Sequence, residues 1–132
     1  MSEPRWLSRL LVDMIHSELL QEHGGAPGAR AGGDDLIESA SSRAPNRYTY
    51  APESDLAALA AAYLFGLTRN HDYIDGNRRV GFAAAATFLV LNGVRLTASE
   101  VEAYDMVIGV VEGRYSEDEV AHWIRTNSEP IP

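Results

Sequence analysis

Reactive side chains are unusually dense in residues 71–79, which read HDYIDGNRR. An imidazole, carboxylates, a phenol, an amide and two guanidiniums follow one another there, whereas residues 80–91, VGFAAAATFLVL, are almost wholly apolar. The apolar half predicts a helix that begins near Asn77, and the first N–H groups of a helix attract anions. The sequence therefore predicts polar chemistry at the positive end of a core helix.

Four consecutive residues at this helix start indicate that the anion is a phosphate. Gly76 permits close approach of the backbone to a ligand, and Asn77 offers an amide. Arg78 and Arg79 add permanent positive charges that suit phosphate oxygens. Because a helix dipole alone contributes about 0.3 to 2 kcal/mol, the arginines must supply most of the attraction.

Two further side chains make this phosphate site a candidate catalytic site. Asp75 would repel phosphate unless a divalent cation such as Mg²⁺ bridges the two, as in many phosphoryl-transfer sites. His71 is suited to act as a general base toward an incoming hydroxyl. These residues predict a nucleotide-dependent transferase. The alternative is that His71 and Asp75 brace helix ends while the two arginines form surface salt bridges.

Length and composition limit what the rest of the chain can be. The 132 residues predict a single domain, 1–132, and 45% hydrophobic with 23% charged residues is typical of a soluble globular protein. The net charge of -8 argues against direct binding of nucleic acid. No apolar run reaches the roughly 20 residues of a membrane span, and no signal-peptide core begins the chain. With zero cysteines, which exclude thiolate metal sites, these features predict a cytoplasmic protein.

Helical periodicity dominates the chain and predicts an all-α bundle of about six helices. The fourth helix, which begins around Asn77 and is ended by Asn92-Gly93, should be the buried central one because it is apolar all round. The expected signals for the others are a stop near His23, a second helix from Asp34 or Asp35 through Arg43, a third capped by Ser54, and capping boxes at 97–100 and 116–119.

Residues 44–54, APNRYTYAPES, are rich in helix breakers, and only RYTY at 47–50 has strand-like propensity. We expect a small flap or hairpin near 46–51, with a plain solvated loop as the alternative. His16, His23 and His122 lack the spacing of metal ligands and are interpreted as structural or surface residues.

The segment HDYIDGNRR resembles the signature of the Fic/Doc superfamily, in particular its Doc (death on curing) branch, whose loop typically reads H-x-F-x-D-[AG]-N-K-R. The flanking sequence is similar as well: Arg69 precedes the histidine by two residues, and FLVLNG follows at 88–93. Three upstream segments also match: IHSELLQEHGGAPG at 15–28, LIESA at 36–40 and DLAALAAAYLF at 55–65. The resemblance covers nearly the whole chain and implies the Fic/Doc fold.

The resemblance also implies a function. Doc-like proteins are toxins of bacterial toxin-antitoxin pairs, which transfer phosphate from ATP to a threonine of elongation factor Tu and so arrest translation. Fic relatives instead transfer AMP to target hydroxyls. The implied partners are therefore a cognate antitoxin and a translation factor, and the implied cofactors are ATP and Mg²⁺.

The family pattern assigns roles to individual residues. His71 would be the base, and Asp75 would hold magnesium. Tyr48 and Tyr50 would belong to a flap that aligns the target segment by strand-like pairing. The residues that would bind the nucleotide and its phosphates are Arg69, Gly76, Asn77, Arg78 and Arg79.

Position 78 separates the two branches, since Fic proteins usually carry glycine there and Doc proteins carry lysine. Arg78 falls on the Doc side by size and charge, although its planar fork places charge differently from a lysine. Asp72 replaces a common proline, and Tyr73 replaces phenylalanine. The departures at Asp72 and Tyr73 leave open a catalytically degenerate Doc-like binding protein. An AMP transferase and a hydrolase in which His71, Asp72 and Asp75 bind metal are further alternatives.

Overall fold

A computed structural model describes residues 3–29, 31–69 and 77–132. These residues form six helices and one small sheet, which confirms the all-α bundle. The helices are α1 (Arg9–His23), α2 (Gly33–Tyr50), α3 (Leu56–Arg69), α4 (Asn77–Leu91), α5 (Glu100–Val111) and α6 (Glu117–Thr126). Strands β1 (Val94–Leu96) and β2 (Ser128–Pro130) pair antiparallel, with Arg95 opposite Glu129. The sheet was not predicted, because three-residue strands carry too little periodicity.

Helix α3 occupies the centre of the bundle, where it packs against α2, α4, α5 and α6. Four of its large side chains are fully buried: Leu59, Tyr63, Leu64 and Leu67. By contrast, α4 buries one side and leaves Val90 54% exposed. The predicted buried central helix therefore exists, but it is α3 rather than α4. Ala83 and Ala86 lie on the outer side of α4, where their small apolar surface costs little free energy to leave in water.

Helix α2 continues past Arg43 and through Pro45, so residues 46–50 are helical and the predicted flap or hairpin near 46–51 is wrong. Tertiary contacts explain the extension. The ring of Tyr48 meets the ring of Trp6 edge-on at 5.6 Å between centroids, and Arg47 pairs with Glu117 of α6 at 2.9 Å. These contacts outweigh the helix-breaking composition.

The same finding corrects the role expected of the two flap tyrosines. Tyr48 lies within α2 and packs against the core, and Tyr50 is the last residue of that helix, 77% exposed. Helical backbone groups are engaged within the helix and do not pair with an extended target segment. Strand-like alignment by Tyr48 and Tyr50 is therefore not available in this structure.

Helix starts differ in detail from the predicted caps. Asp55, not Ser54, caps α3, because its carboxylate accepts a hydrogen bond from the Ala58 N–H at 2.9 Å. The box that opens α5 joins Ser99 and Glu102 instead of Thr97 and Glu100. The box predicted at 116–119 is confirmed.

The segment before α1 is hydrogen-bonded to α3 and to the residue that follows α4. The Leu7 N–H donates to the Tyr63 hydroxyl at 3.0 Å, and the Asn92 side chain bonds both backbone groups of Arg5. Burial raises the pKa of Tyr63 to about 12, so this hydroxyl stays neutral.

Within the ranges described above, no helix is both long and apolar enough to cross a lipid bilayer.

Candidate phosphate-binding site

The last turn of α3 lies directly against the first turns of α4. Position 81 of α4 is glycine, and a Cβ there would overlap Thr68 Oγ1 and stand 3.2 Å from both the Leu64 carbonyl oxygen and the Thr68 nitrogen. Only glycine permits so close an approach of two backbones. This contact places Arg69, the residue after Thr68, at the same end of the helix pair as the start of α4.

Four of the predicted site residues are brought together at this end. Arg69 is the exposed last residue of α3. Asn77 begins α4 with 8% exposure, and the exposed Arg78 and Arg79 follow in its first turn. That turn contains no acidic residue, whereas the first turns of α5 and α6 are acidic. The positive end of α4 is therefore not offset by its own side chains.

The five other residues singled out in the loop lie outside the described residues: His71, Asp72, Tyr73, Asp75 and Gly76. Their roles stay predictions. Elsewhere in the chain, the described ranges contain no group of three or more histidine, aspartate or glutamate residues that could hold a metal ion. The expectation of Mg²⁺ therefore depends on Asp75.

Ion pairing divides the described arginines into two groups. All 11 basic residues of the chain are arginines. Carboxylates pair with Arg9, Arg43, Arg47, Arg95, Arg114 and Arg125. No described carboxylate pairs with Arg69, Arg78 or Arg79. Arg5 also lacks one, but it lies at the opposite end of α4, beside Asn92. The positive charges left uncompensated by described residues thus concentrate around the candidate site.

Sequence reasoning missed one side chain at this site. The ring centroid of Phe65 lies 5.3 Å from Cζ of Arg69 and 6.0 Å from Cζ of Arg43. Both distances are within the range of a cation–π contact. The spacing of Phe65 and Arg69, four residues apart on one helix, was a readable signal for half of this arrangement.

The end of α3 and the start of α4, on either side of residues 70–76, thus present arginines whose charge no described carboxylate offsets. Residues 6–89 match the model of the Fic/DOC family. Because this match covers more than half of the chain, the protein belongs to the Fic/DOC family.

A curated relative points to one branch of the family. The chain is similar to Toxin Doc of Mycolicibacterium smegmatis (strain ATCC 700084 / mc(2)155), with 59% identity over 39 residues. The alignment covers 30% of this chain and 30% of the relative, so most of the relative's length is not matched.

Proposed function

We propose that the protein is a Doc-type toxin that transfers phosphate from ATP to a hydroxyl of a target protein. Membership of the Fic/DOC family and the similarity to Toxin Doc support this proposal. The observation that carries it is structural: Arg69 ends α3, Arg78 and Arg79 lie in the first turn of α4, and none of the three has a carboxylate partner among the described residues. Such an arrangement suits the phosphates of a nucleotide.

The electrostatic argument depends on where the charge lies. With 19 acidic residues against 11 basic ones, the chain as a whole repels a polyphosphate. Binding therefore requires a local cluster whose charge is not already cancelled. Arginine is suited to it, because the guanidinium offers N–H donors in a fork that matches two phosphate oxygens.

The roles of the remaining residues follow from the proposed reaction. Asn77 would offer its amide and the first N–H groups of α4 to a phosphate. His71 would accept the proton of the attacking hydroxyl, and Gly76 would allow close approach to the nucleotide. Asp75 would hold Mg²⁺, which neutralises phosphate charge during transfer.

The acceptor and the partners are part of the same proposal. By resemblance to Doc-type toxins, the acceptor is a serine or threonine hydroxyl of a translation factor such as elongation factor Tu, and its modification arrests translation. A cognate antitoxin would neutralise the protein in the cytoplasm. Expression of the protein alone should therefore stop bacterial growth, and harmless expression from a strong promoter would contradict the toxin assignment.

Separately labelled ATP tests the transferred group. Purified protein would be incubated with a cell extract and ATP labelled at either the α or the γ phosphate. We expect label on a target protein only from γ-labelled ATP. Arg78 should decide this outcome, because a long cation fills the space that glycine leaves for an AMP-transferring nucleotide and attracts the γ-phosphate end.

Two variants at this position sharpen the test. Arg78→Gly should lose γ-label transfer, whereas Arg78→Lys should retain it, because lysine is what the resembling toxins carry. Transfer of α-label with Arg78 in place would show that the protein is an AMP transferase instead.

A further inference from the structure

Phe65 contacts Arg69 without offsetting the positive charge of its guanidinium. The ring attracts the cation through its quadrupole at 5.3 Å, and no described carboxylate shares the contact. An aspartate or glutamate in the same place would also hold Arg69, but it would cancel the positive charge and occupy N–H donors. A ring face does neither, so the donors of Arg69 stay available to phosphate oxygens.

A second guanidinium, that of Arg43, lies beside the same ring, but its charge is already paired. Arg43 lies 6.0 Å from the Phe65 centroid, and its charge is offset by an ion pair with Glu117 of α6. The Arg43 side chain runs across α3 at Gly66, where a Cβ would come within 2.6 Å of its Cδ. Arg43 is thus held from both sides, and of the two cations on the ring only Arg69 lacks a described counter-charge.

Glu117 anchors this arrangement in the body of the fold. Its side chain is 19% exposed and pairs with Arg47 as well as with Arg43. Helices α2 and α6 are therefore fastened to each other next to the ring. Glu117 thereby holds the Arg43 guanidinium beside the Phe65 ring.

We propose that Phe65 is a positioning residue of the phosphate site, which holds the Arg69 guanidinium at the end of α3 with its charge intact. Glu117 holds Arg43 beside the same ring. The proposal rests on the proposed function, because it assigns Arg69 to nucleotide phosphate. It adds a residue outside the 71–79 motif to the site.

ATP affinity, measured by calorimetry on the full chain, tests the proposal. Phe65→Leu keeps an apolar side chain but removes the ring, and it should weaken ATP binding about two- to fivefold, as expected for an exposed cation–π contact. Phe65→Tyr restores a ring and should restore affinity. In an Arg69→Gln background, Phe65→Leu should have no further effect, because the two changes act through one contact.

A matched control separates positioning from stability. Phe88→Leu is the same chemical change at a fully buried ring near the other end of α4. It should lower the thermal midpoint and leave ATP affinity unchanged. A second measurement needs no ligand: the NMR signal of the Arg69 Nε–H should carry a ring-current shift that Phe65→Leu removes and Phe65→Tyr restores.

The outcomes distinguish the two proposals. If Arg69→Gln weakens ATP binding but Phe65→Leu does not, Arg69 acts without the ring and the inference fails while the proposed function stands. If Phe65→Leu weakens binding equally with and without Arg69, the ring acts by packing and the inference also fails. If the unmodified protein binds no ATP, the proposed function fails, and the role of Phe65 in phosphate binding fails with it.

Discussion

The arginines at the two ends of helix α3 have different partners. At its start, Asp55 caps the helix and accepts two hydrogen bonds from Arg125 of α6, at 2.6 and 3.0 Å. At its end, Arg69 meets an aromatic ring and no described carboxylate. The paired end joins two helices, whereas no described carboxylate offsets the charge of Arg69. Under the proposed function, this difference in pairing separates a structural arginine from one that binds phosphate.

The first turns of α4 and α6 also differ in charge. The first turn of α6 carries Glu117, Asp118 and Glu119, which favour its positive end. The first turn of α4 carries Arg78 and Arg79 instead, which oppose the dipole and cost stability. An unfavourable local charge in an otherwise consistent fold is expected where a site serves function.

The largest effect should follow from loss of the proposed base, His71, which lies in the sequence between Arg69 and the pair Arg78 and Arg79. His71→Ala should lower the rate of transfer about 10²- to 10⁴-fold, the usual contribution of a general base, and should abolish growth arrest. Label transfer and colony counts after induction measure it. His122→Ala on α6 is the control and should remain toxic. Undiminished toxicity of His71→Ala would contradict the assignment.

A matched pair of arginine substitutions tests the comparison directly. Arg79→Gln should weaken ATP binding about 10- to 100-fold, because hydrogen bonds to charged groups contribute about 1.5 to 3 kcal/mol. Its free energy of unfolding should change by less than about 0.5 kcal/mol. Arg125→Gln should do the reverse, lowering stability by up to about 1 kcal/mol with ATP affinity unchanged. Calorimetry measures ATP affinity, and urea unfolding measures the free energy of unfolding. Equal effects of both variants on ATP affinity would contradict the distinction between a binding and a structural arginine.

The close contact of α3 and α4 gives a third test. Gly81→Ala should lower the free energy of unfolding by about 1 to 3 kcal/mol, because the new methyl overlaps Thr68 Oγ1 and stands close to backbone atoms that cannot rotate away. Urea unfolding measures this loss. Thr68→Ala removes the nearest clashing atom, so the double variant should regain part of the stability. A Gly81→Ala protein as stable as the original would mean that the helices separate without cost.

The sequence predicted the start of α4 more closely than it predicted the path of α2. Asn77, Arg78 and Arg79 are consecutive, so their clustering at a helix start could be read directly. The path of α2 could not, because contacts of Tyr48 with Trp6 and of Arg47 with Glu117 override the local breakers. Such contacts join residues far apart in the chain and leave no local pattern.

For the same reason, the sequence could not show which helix is enclosed or which partner each arginine contacts. The apolar run of α4 predicted a central helix, yet α3 lies at the centre, because which of two apolar helices is enclosed depends on their neighbours. Nothing in the sequence shows that Arg125 meets a carboxylate and Arg69 a ring. The roles of His71, Asp75 and Gly76 stay predictions from the motif.

The smallest effect concerns acidity at the paired end of α3. The hydrogen bond from Arg125 holds the pKa of Asp55 below its ordinary value of 3.8, and the Ala58 N–H adds to this effect. Because the pKa is lower in the folded than in the unfolded protein, ionised Asp55 contributes its full stability above about pH 3.8. That contribution is lost as the pH falls through the folded-state pKa.

Asp55→Asn should therefore lower the free energy of unfolding at pH 7 by about 1 kcal/mol, since the exposed ion pair is weak and asparagine still caps a helix. The difference from the unmodified protein should shrink below pH 3.8, where the native carboxylate itself becomes protonated. Urea unfolding at pH 7 and pH 3 measures it. Asp105→Asn on the exposed face of α5 is the control and should change neither value. A deficit of the same size at both pH values would show that Asp55 stabilises α3 through packing, and the charged fastening of this end would then no longer distinguish it from the end at Arg69.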